Sequence, residues 1–248
     1  MSELQHPESQ AFELVADLYE RVRPEYPSEA IVWLADQLDL RAGRTVLDLG
    51  AGTGKLTRAL VRTGASVIAV EPGDAMRAEL ERAVPEAEAL RGSAERIPLA
   101  DGSVDAIAIG QAFHWFRYDE AIPELYRVLR TRGHVGLLWN VRDQDDALQR
   151  EISDLIAPFL AGRAGASDSH RYLKESELFG PVEERRFRLV QELDANGLVD
   201  RIASISFIAA APAERRDALK QQIRKLVAPY SGRIDFPYVT DVYVSRAV

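Results

Sequence analysis

The sequence predicts a single α/β domain in which helices cover both faces of a mostly parallel sheet. Three observations lead to this fold class. Short apolar runs alternate with helical segments over the first 140 residues, which is typical of βαβ units. These runs lack an alternation of polar and apolar residues, as expected for strands that are buried on both faces. One of them also ends in a glycine cluster that a helix follows directly.

Two helices are predicted before the first strand. Apolar residues recur at helical spacing over residues 11–23, and Pro24 ends that helix because proline cannot continue it. Ser28 is a favourable cap for a second helix at residues 29–39. An apolar run at residues 45–49 then predicts the first strand, which leads into the glycine cluster.

The alternation continues to the middle of the chain. The predicted elements are a helix at residues 55–62, a strand at 67–70, a helix at 74–83, a strand at 105–109, a helix at 119–130 and a strand at 134–139. A helix between two successive strands lets those strands run parallel.

The pattern changes after residue 140. Residues 141–184 are polar and helix-prone, and we expect them to form a lid insertion. Three further elements complete the chain: a strand at residues 185–193, amphipathic helices at 197–227 and a final strand at 241–244. We therefore expect one domain over residues 1–248, with an N-terminal cap at about 1–40.

Composition excludes several classes of function. The 248 residues contain no cysteine, which excludes a disulfide framework, a thiolate metal site and a cysteine nucleophile. The net charge of −8 disfavours broad binding to nucleic acids or anionic membranes. The polar N-terminus carries no secretory signal, and no apolar run approaches the ~20 residues of a membrane helix. We expect a cytoplasmic protein with a small-molecule partner, no nucleic-acid or membrane partner and no metal.

The glycine cluster, VLDLGAGTGK at residues 46–55, is the strongest functional signal. Such a turn lets a ligand approach the backbone closely and presents the amides of a helix N-terminus to it. A nucleoside-triphosphate loop would need glycine at Leu49 and serine or threonine at Leu56. A dinucleotide loop would need glycine at Lys55, the sixth place of its G-x-G-x-x-G pattern. Neither pattern fits.

The form D-x-G-x-G-x-G, which begins at Asp48, resembles motif I of the class I S-adenosylmethionine (SAM) dependent methyltransferases. Three later stretches match the family in the same order: the strand that ends in Glu71, GSAERIPLADGSVD at residues 92–105 and YRVLRTRG at residues 126–133. The resemblance implies a Rossmann-like fold with a seven-stranded, mostly parallel sheet, SAM as cofactor and S-adenosylhomocysteine (SAH) as product. Ser93 replaces the family's usual aspartate, and T-R-G replaces its usual P-G-G.

Within the family, the chain looks most like the type 11 group of small-molecule methyltransferases. YERVRPEYP at residues 19–27 and FPYVTDVY at residues 236–243 are similar to a subset that includes relatives of trans-aconitate methyltransferase. Where DNA base-amine methyltransferases carry D/N-P-P-Y/F, this chain has QAFH at residues 111–114. We therefore expect a small-molecule acceptor, with methylation of an oxygen or a carboxylate favoured.

The resemblance implies sixteen cofactor-binding positions. They are Tyr19, Arg23, Asp48, Gly50, Ala51, Gly52, Thr53, Gly54, Glu71, Pro72, Met76, Ser93, Ala94, Glu95, Gln111 and Ala112. The glycines are expected to lie against the methionine part of SAM, and Glu71 to accept hydrogen bonds from two ribose hydroxyls. Asp48 orients the loop through backbone amides or reaches the amino group of SAM through water. Arg23 pairs with the carboxylate of SAM or forms a surface ion pair, and Pro72 and Met76 flank the adenine or belong to the core.

His114 is the histidine whose position suggests chemistry. It is a candidate general base because its pKa lies near neutral pH, and the alternative is a structural role in its loop. Phe113, Trp115 and Phe116 line an acceptor pocket or the core.

Two other functions stay open: a catalytically silent SAM- or SAH-binding regulatory protein, and an oxidoreductase, which Lys55 at the sixth place of the loop disfavours.

Overall fold

A seven-stranded sheet organises the protein in this computed structural model, which describes residues 20–160 and 166–248. Its strands are β1 (Thr45–Leu49), β2 (Ser66–Val70), β3 (Glu88–Leu90), β4 (Val104–Gly110), β5 (Leu129–Arg142), β6 (Glu183–Leu193) and β7 (Ile234–Arg246). They lie in the order β3-β2-β1-β4-β5-β7-β6. The first five are parallel, whereas β7 is antiparallel to both β5 and β6. The predicted mostly parallel, seven-stranded sheet is confirmed.

Helices occupy both faces of the sheet. They are α1 (Ser28–Gln37), α2 (Lys55–Val61), α3 (Asp74–Ala83), α4 (Tyr118–Val128), α5 (Ala147–Leu160), α6 (His170–Glu175), α7 (Ala195–Ala203), α8 (Ser206–Ala209) and α9 (Ala213–Val227). Only residues 20–23 of the predicted first helix belong to the described chain, and of these residues 20–22 are helical. None of the described helices is long and apolar enough to cross a membrane.

Successive residues of the central strands point into two different cores. Ile107 of β4 packs with α4 in the first core, while Ala106 and Ala108 pack with α1 and α2 in the second. All three side chains are fully buried. Because both faces of these strands are covered by helices, the sequence runs without alternation.

The N-terminal part of β7 contributes to a third core. Phe236 and Tyr238 pack there with α5, α7 and α9. α5 buries Leu148, Ile152 and Ile156 in this layer. The predicted lid therefore contains a helix that is packed against the body of the domain. Its residues 161–165 lie outside the described chain, and its movement as a lid stays a prediction.

The structure differs from the element predictions at three strands. β7 runs over Ile234–Arg246, whereas only residues 241–244 were expected. β3 has only three residues, all of them partly or fully exposed, and the element-by-element analysis did not find it. β5 begins at Leu129 rather than at residue 134, because the T-R-G stretch forms a bulge inside the strand. The pairing moves there from Val104 with Leu129 to Ala106 with His134.

Candidate functional site

The turn after β1 uses glycine for two different reasons. Gly50, Gly52 and Gly54 have φ values of 72°, 58° and 90°, a region that L side chains rarely adopt. A Cβ atom at Gly50 would lie 2.7 Å from the Cβ of Ala112, and one at Gly54 would lie 2.6 Å from Cδ1 of Leu80. A Cβ atom at Gly52 would meet no atom within 4 Å. Packing thus requires two of the glycines, and Gly52 borders open space.

That open space belongs to a cleft whose volume is about 520 Å³, including the space at its opening to solvent. The cleft lies at the carboxyl ends of β1, β4 and β5, where open α/β sheets bind ligands. Seven of the predicted cofactor-binding positions line it: Arg23, Asp48, Gly50, Ala51, Gly52, Thr53 and Gln111.

Asp48 supplies a buried carboxylate to this cleft. Its Oδ2 accepts a hydrogen bond of 2.6 Å from the hydroxyl of Thr57, and the backbone of Thr57 also donates to this carboxylate. Its Oδ1 is buried and has no hydrogen-bond partner among the described residues. Burial and, to a smaller extent, the charge of Glu71 raise the pKa of Asp48 to about 7 against the opposing effect of the Thr57 hydrogen bonds. A cationic group in the cleft would pair with Oδ1 and favour the ionised form.

Glu71 joins the glycine turn to the end of β2. Its Oε2 accepts from the amide of Gly52 and its Oε1 from the amide of Gly73, both at 2.9 Å. The side chain is nearly buried. A carboxylate can accept several hydrogen bonds at once, which suits the hydroxyl groups of a ligand.

The end of β4 is held in a strained conformation. Gln111 has a φ of 58°, which costs a residue with a side chain roughly 1–3 kcal/mol. Its amide donates to the carbonyl of Leu138, and its Nε2 donates to the carbonyl of Asn140. Strain of this kind at the edge of a cleft is typical of a ligand site.

Residues 20–26, the cover segment, are tied to the glycine turn by charged side chains. Glu20 accepts from the hydroxyl of Thr53 at 2.6 Å and pairs with Arg58 at 2.9 Å. Glu25 pairs with Lys55 at 3.1 Å and with Arg58 at 3.0 Å. Lys55 therefore binds the cover segment, which explains its place directly after the last glycine of the turn.

The sequence also matches a family model described as a methyltransferase domain, over residues 47–137. An uncharacterized methyltransferase of Mycobacterium tuberculosis is 41% identical over 237 residues, which span 94% of this chain and 93% of the relative. The chain belongs to the class I SAM-dependent methyltransferases.

Solved structures of other proteins have the same fold. A protein of Anabaena variabilis, provisionally named a methyltransferase from an antibiotic biosynthesis pathway, aligns with a TM-score of 0.66 at 24% identity and covers 90% of this chain and 98% of its own. The cyclase SpnF aligns with a TM-score of 0.60 at 16% identity and covers 99% of both chains. At such identities the likeness shows the fold alone.

Eight predicted positions of this methyltransferase lie outside the lining of the cleft: Gly54, Glu71, Pro72, Met76, Ser93, Ala94, Glu95 and Ala112. Met76 and Ala94 are buried in the protein. Glu95 accepts from the amide of Arg117 at 3.0 Å and so fixes its own loop. Tyr19 lies outside the described residues.

His114 lies in a short helical turn, Phe113–Trp115, that follows β4. Its Nδ1 accepts a hydrogen bond of 3.4 Å from the indole Nε1 of Trp139, and its ring packs on Trp115 with a centroid distance of 4.7 Å. Phe113 and Phe116 are buried in the first core of the methyltransferase. Of the described residues, His114 is not among those that line the glycine-turn cleft.

Seven lining residues are not among the predicted site residues: Pro24, Tyr26, Lys55, Leu56, Gly110, Asn140 and Arg201. Asn140 of β5 accepts from Thr240 and donates to the backbone carbonyl of Glu25, so it connects the sheet to the cover segment. Arg201 of α7 is 4% exposed although arginine is rarely buried. The sequence does carry a signal for it, because Arg201 occupies a position on the otherwise apolar face of an amphipathic helix.

Proposed function

We propose that this methyltransferase transfers the methyl group of SAM to a small molecule, with an oxygen or a carboxylate as the favoured acceptor. One observation supports a small acceptor. The cover segment lines the cleft and is held to α2 by ion pairs of Glu20 and Glu25 with Lys55 and Arg58. A cleft that is closed in this way admits a small molecule more readily than a polymer.

The residues at the cleft fit the cofactor. Oδ1 of Asp48 suits the ammonium group of SAM, because it is a buried acceptor with no partner in the described chain. Glu71 suits the ribose hydroxyls, and Gly52 leaves the backbone open to close approach. When bound, SAM supplies a methyl group that is activated by the positive sulfonium.

The contribution of the protein to this chemistry is alignment and the exclusion of water. The ion pair of Glu25 with Lys55 fixes the cover segment beside the glycine turn. An acceptor that is already ionised needs no general base. His114 stays a candidate base, but the bond from Trp139 occupies its Nδ1, so the neutral imidazole carries its proton on Nε2. Base catalysis by His114 would require that hydrogen bond to break.

Three finer expectations also stay predictions. They are membership of the subset with relatives of trans-aconitate methyltransferase, a cytoplasmic location, and the absence of nucleic-acid partners. A catalytically silent SAM- or SAH-binding protein is the second candidate function. The fold alone does not separate this candidate from an enzyme, because one fold can carry different activities.

Calorimetric titration with SAM and SAH, with NADH and ATP as controls, tests the cofactor assignment. We expect SAM and SAH to bind and both controls to fail. Binding of neither, by folded protein, would refute the proposal. A screen of small-molecule acceptors for SAH release then separates the enzyme from a silent binder, which would bind SAM and never turn it over.

A further inference from the structure

Two arginines, the buried Arg201 and the half-buried Arg142, lie near each other without an acidic partner among the described residues. Nη1 of Arg142 and Nη1 of Arg201 are both buried and have no hydrogen-bond partner among the described residues. Nε of Arg201 donates to the hydroxyl of Tyr238 at 2.8 Å, which is a neutral acceptor. Within the described chain, neither guanidinium forms an ion pair with an aspartate or glutamate. Buried charges are normally paired, so this arrangement calls for an explanation.

The sheet brings the two side chains together. Arg142 is the last residue of β5 and pairs in register with Tyr238 of β7. Cross-strand partners lie next to each other on one face, and the hydroxyl of this tyrosine also reaches Arg201. Burial and, to a smaller extent, the charge of Arg201 lower the pKa of Arg142 to about 10. Arg142 therefore remains charged at neutral pH, and the two positive charges repel each other.

Arg201 lines the same cleft as the glycine turn, and Arg142 lies near Arg201 without being part of the lining itself. Asn140 also lines the cleft, and it shares a face of β5 with Arg142 because the two are separated by two positions. Of the described charged residues that line the cleft, Arg23, Lys55 and Arg201 are cationic and Asp48 is the acid. Lys55 is already paired with Glu25. The side of the cleft near Arg201 is thus positive in a protein whose net charge is −8.

We propose that Arg142 and Arg201 form a subsite that holds a carboxylate of the methyl acceptor. This inference rests on the proposed function and names the class of acceptor. Planar guanidinium groups bind carboxylates through paired, charge-assisted hydrogen bonds, and the unpartnered Nη1 atoms supply donors for them. Such bonds withdraw electron density from the carboxylate oxygens. The held carboxylate is therefore an anchor, and a second group of the same molecule accepts the methyl.

The test measures binding to the full-length protein saturated with SAH, so that no turnover occurs. The probes are succinate and benzoate, each compared with its uncharged amide, by calorimetry. We expect each carboxylate to bind at least tenfold more tightly than its amide, and Arg142→Gln and Arg201→Gln each to remove that preference. Arg188→Gln replaces an exposed arginine of β6 as the matched control and should leave it intact. Equal binding of carboxylates and amides would overturn the subsite.

A second arm separates the acceptor from the cofactor, which also carries a carboxylate. SAH and 5′-methylthioadenosine, which lacks that carboxylate, are titrated into the unliganded wild type and both variants. We expect both ligands to bind the variants as they bind the wild type. A tenfold loss for SAH alone, about 1.4 kcal/mol, would assign the arginines to the cofactor and overturn the proposal.

The outcomes also separate this inference from the proposed function. If wild-type protein fails to bind SAH, the proposed function fails with it. If SAH binds and carboxylates show no preference over amides, only the subsite fails. Thermal unfolding of the unliganded variants checks the fold, and Arg142→Gln should not lower the melting temperature, because it removes a buried charge that lacks an acidic partner. A clear loss of stability would assign Arg142 to a structural role.

Discussion

Replacing Asp48 by asparagine should stabilise the unliganded protein at pH 8 and weaken its binding of SAH. The wild-type carboxylate is fully buried and has an oxygen without a partner among the described residues, and burial raises its pKa from 3.8 to about 7. At 1.36 kcal/mol per pKa unit, ionising it inside the folded protein costs about 4 kcal/mol. Asparagine keeps an acceptor for Thr57 and removes the charge.

The sign of the pH dependence follows from the direction of the shift. The folded protein holds the Asp48 proton more tightly than the unfolded chain does. The contribution of this group to stability is therefore complete below about pH 4 and is lost as the pH rises through about 7. An asparagine amide without a partner offsets roughly 1–3 kcal/mol of the gain. We expect Asp48→Asn to be about 1–3 kcal/mol more stable than wild type at pH 8 and no more stable at pH 4.5.

Urea unfolding of both proteins at pH 4.5 and pH 8 measures these differences, and calorimetry measures the loss of SAH affinity, expected at tenfold or more. Asp105→Asn is the matched control, because hydrogen bonds from the amide of Thr45 and from Arg130 and Arg44 outweigh burial and lower the pKa of Asp105. It should destabilise the protein at pH 8. If Asp48→Asn shows the same pH dependence as wild type, or is less stable at pH 8, the argument from burial is wrong.

Three further substitutions test the site. Gly52 and Gly102 have nearly equal φ values of 58° and 59° and equally open surroundings, so replacing either by alanine should cost about 1 kcal/mol of stability in unfolding experiments. Only Gly52→Ala should weaken SAH binding. If both variants bind SAH equally well, the backbone at Gly52 does not contact the cofactor. Glu71→Ala should weaken SAH binding by at least 1 kcal/mol in calorimetry, and unchanged affinity would end its assignment to the ribose. His114→Ala should retain turnover within tenfold in an SAH-release assay, since its Nδ1 is occupied by Trp139, whereas a loss of 100-fold or more would identify it as the general base.

The parts of the fold that depend on local pattern were predictable from the sequence. β1 was predicted at the residues that the structure shows, and α3 likewise, because each apolar pattern is complete within its own segment. β3 was missed because three partly or fully exposed residues carry no such pattern. The early start of β5 was missed because the bulge at T-R-G depends on pairing with β4, which is a tertiary contact.

The parts of the candidate site that follow from the order of strand, turn and helix could be located from the sequence. The glycine turn and Glu71 could be found from spacing, because a strand, a turn and a helix fix their positions. The cleft-lining role of Arg201 and Asn140 depends on how α7 and the cover segment pack against the sheet, and no local motif encodes that packing. Met76 and Ala94 are buried in the core, and their assignment to the cofactor stays a prediction.

The place of β7 in the sheet has a consequence for how the chain is assembled during synthesis. β7 follows β6 in the chain but lies between β5 and β6, so β6 has no neighbour in the sheet until β7 arrives. The 41 positions from Leu193 to Ile234 take roughly 2–8 s to translate at about 5–20 residues per second. During that interval the growing polypeptide exposes the open edge of β5 and all of β6, and this unpaired state is the one most open to chaperones and to aggregation.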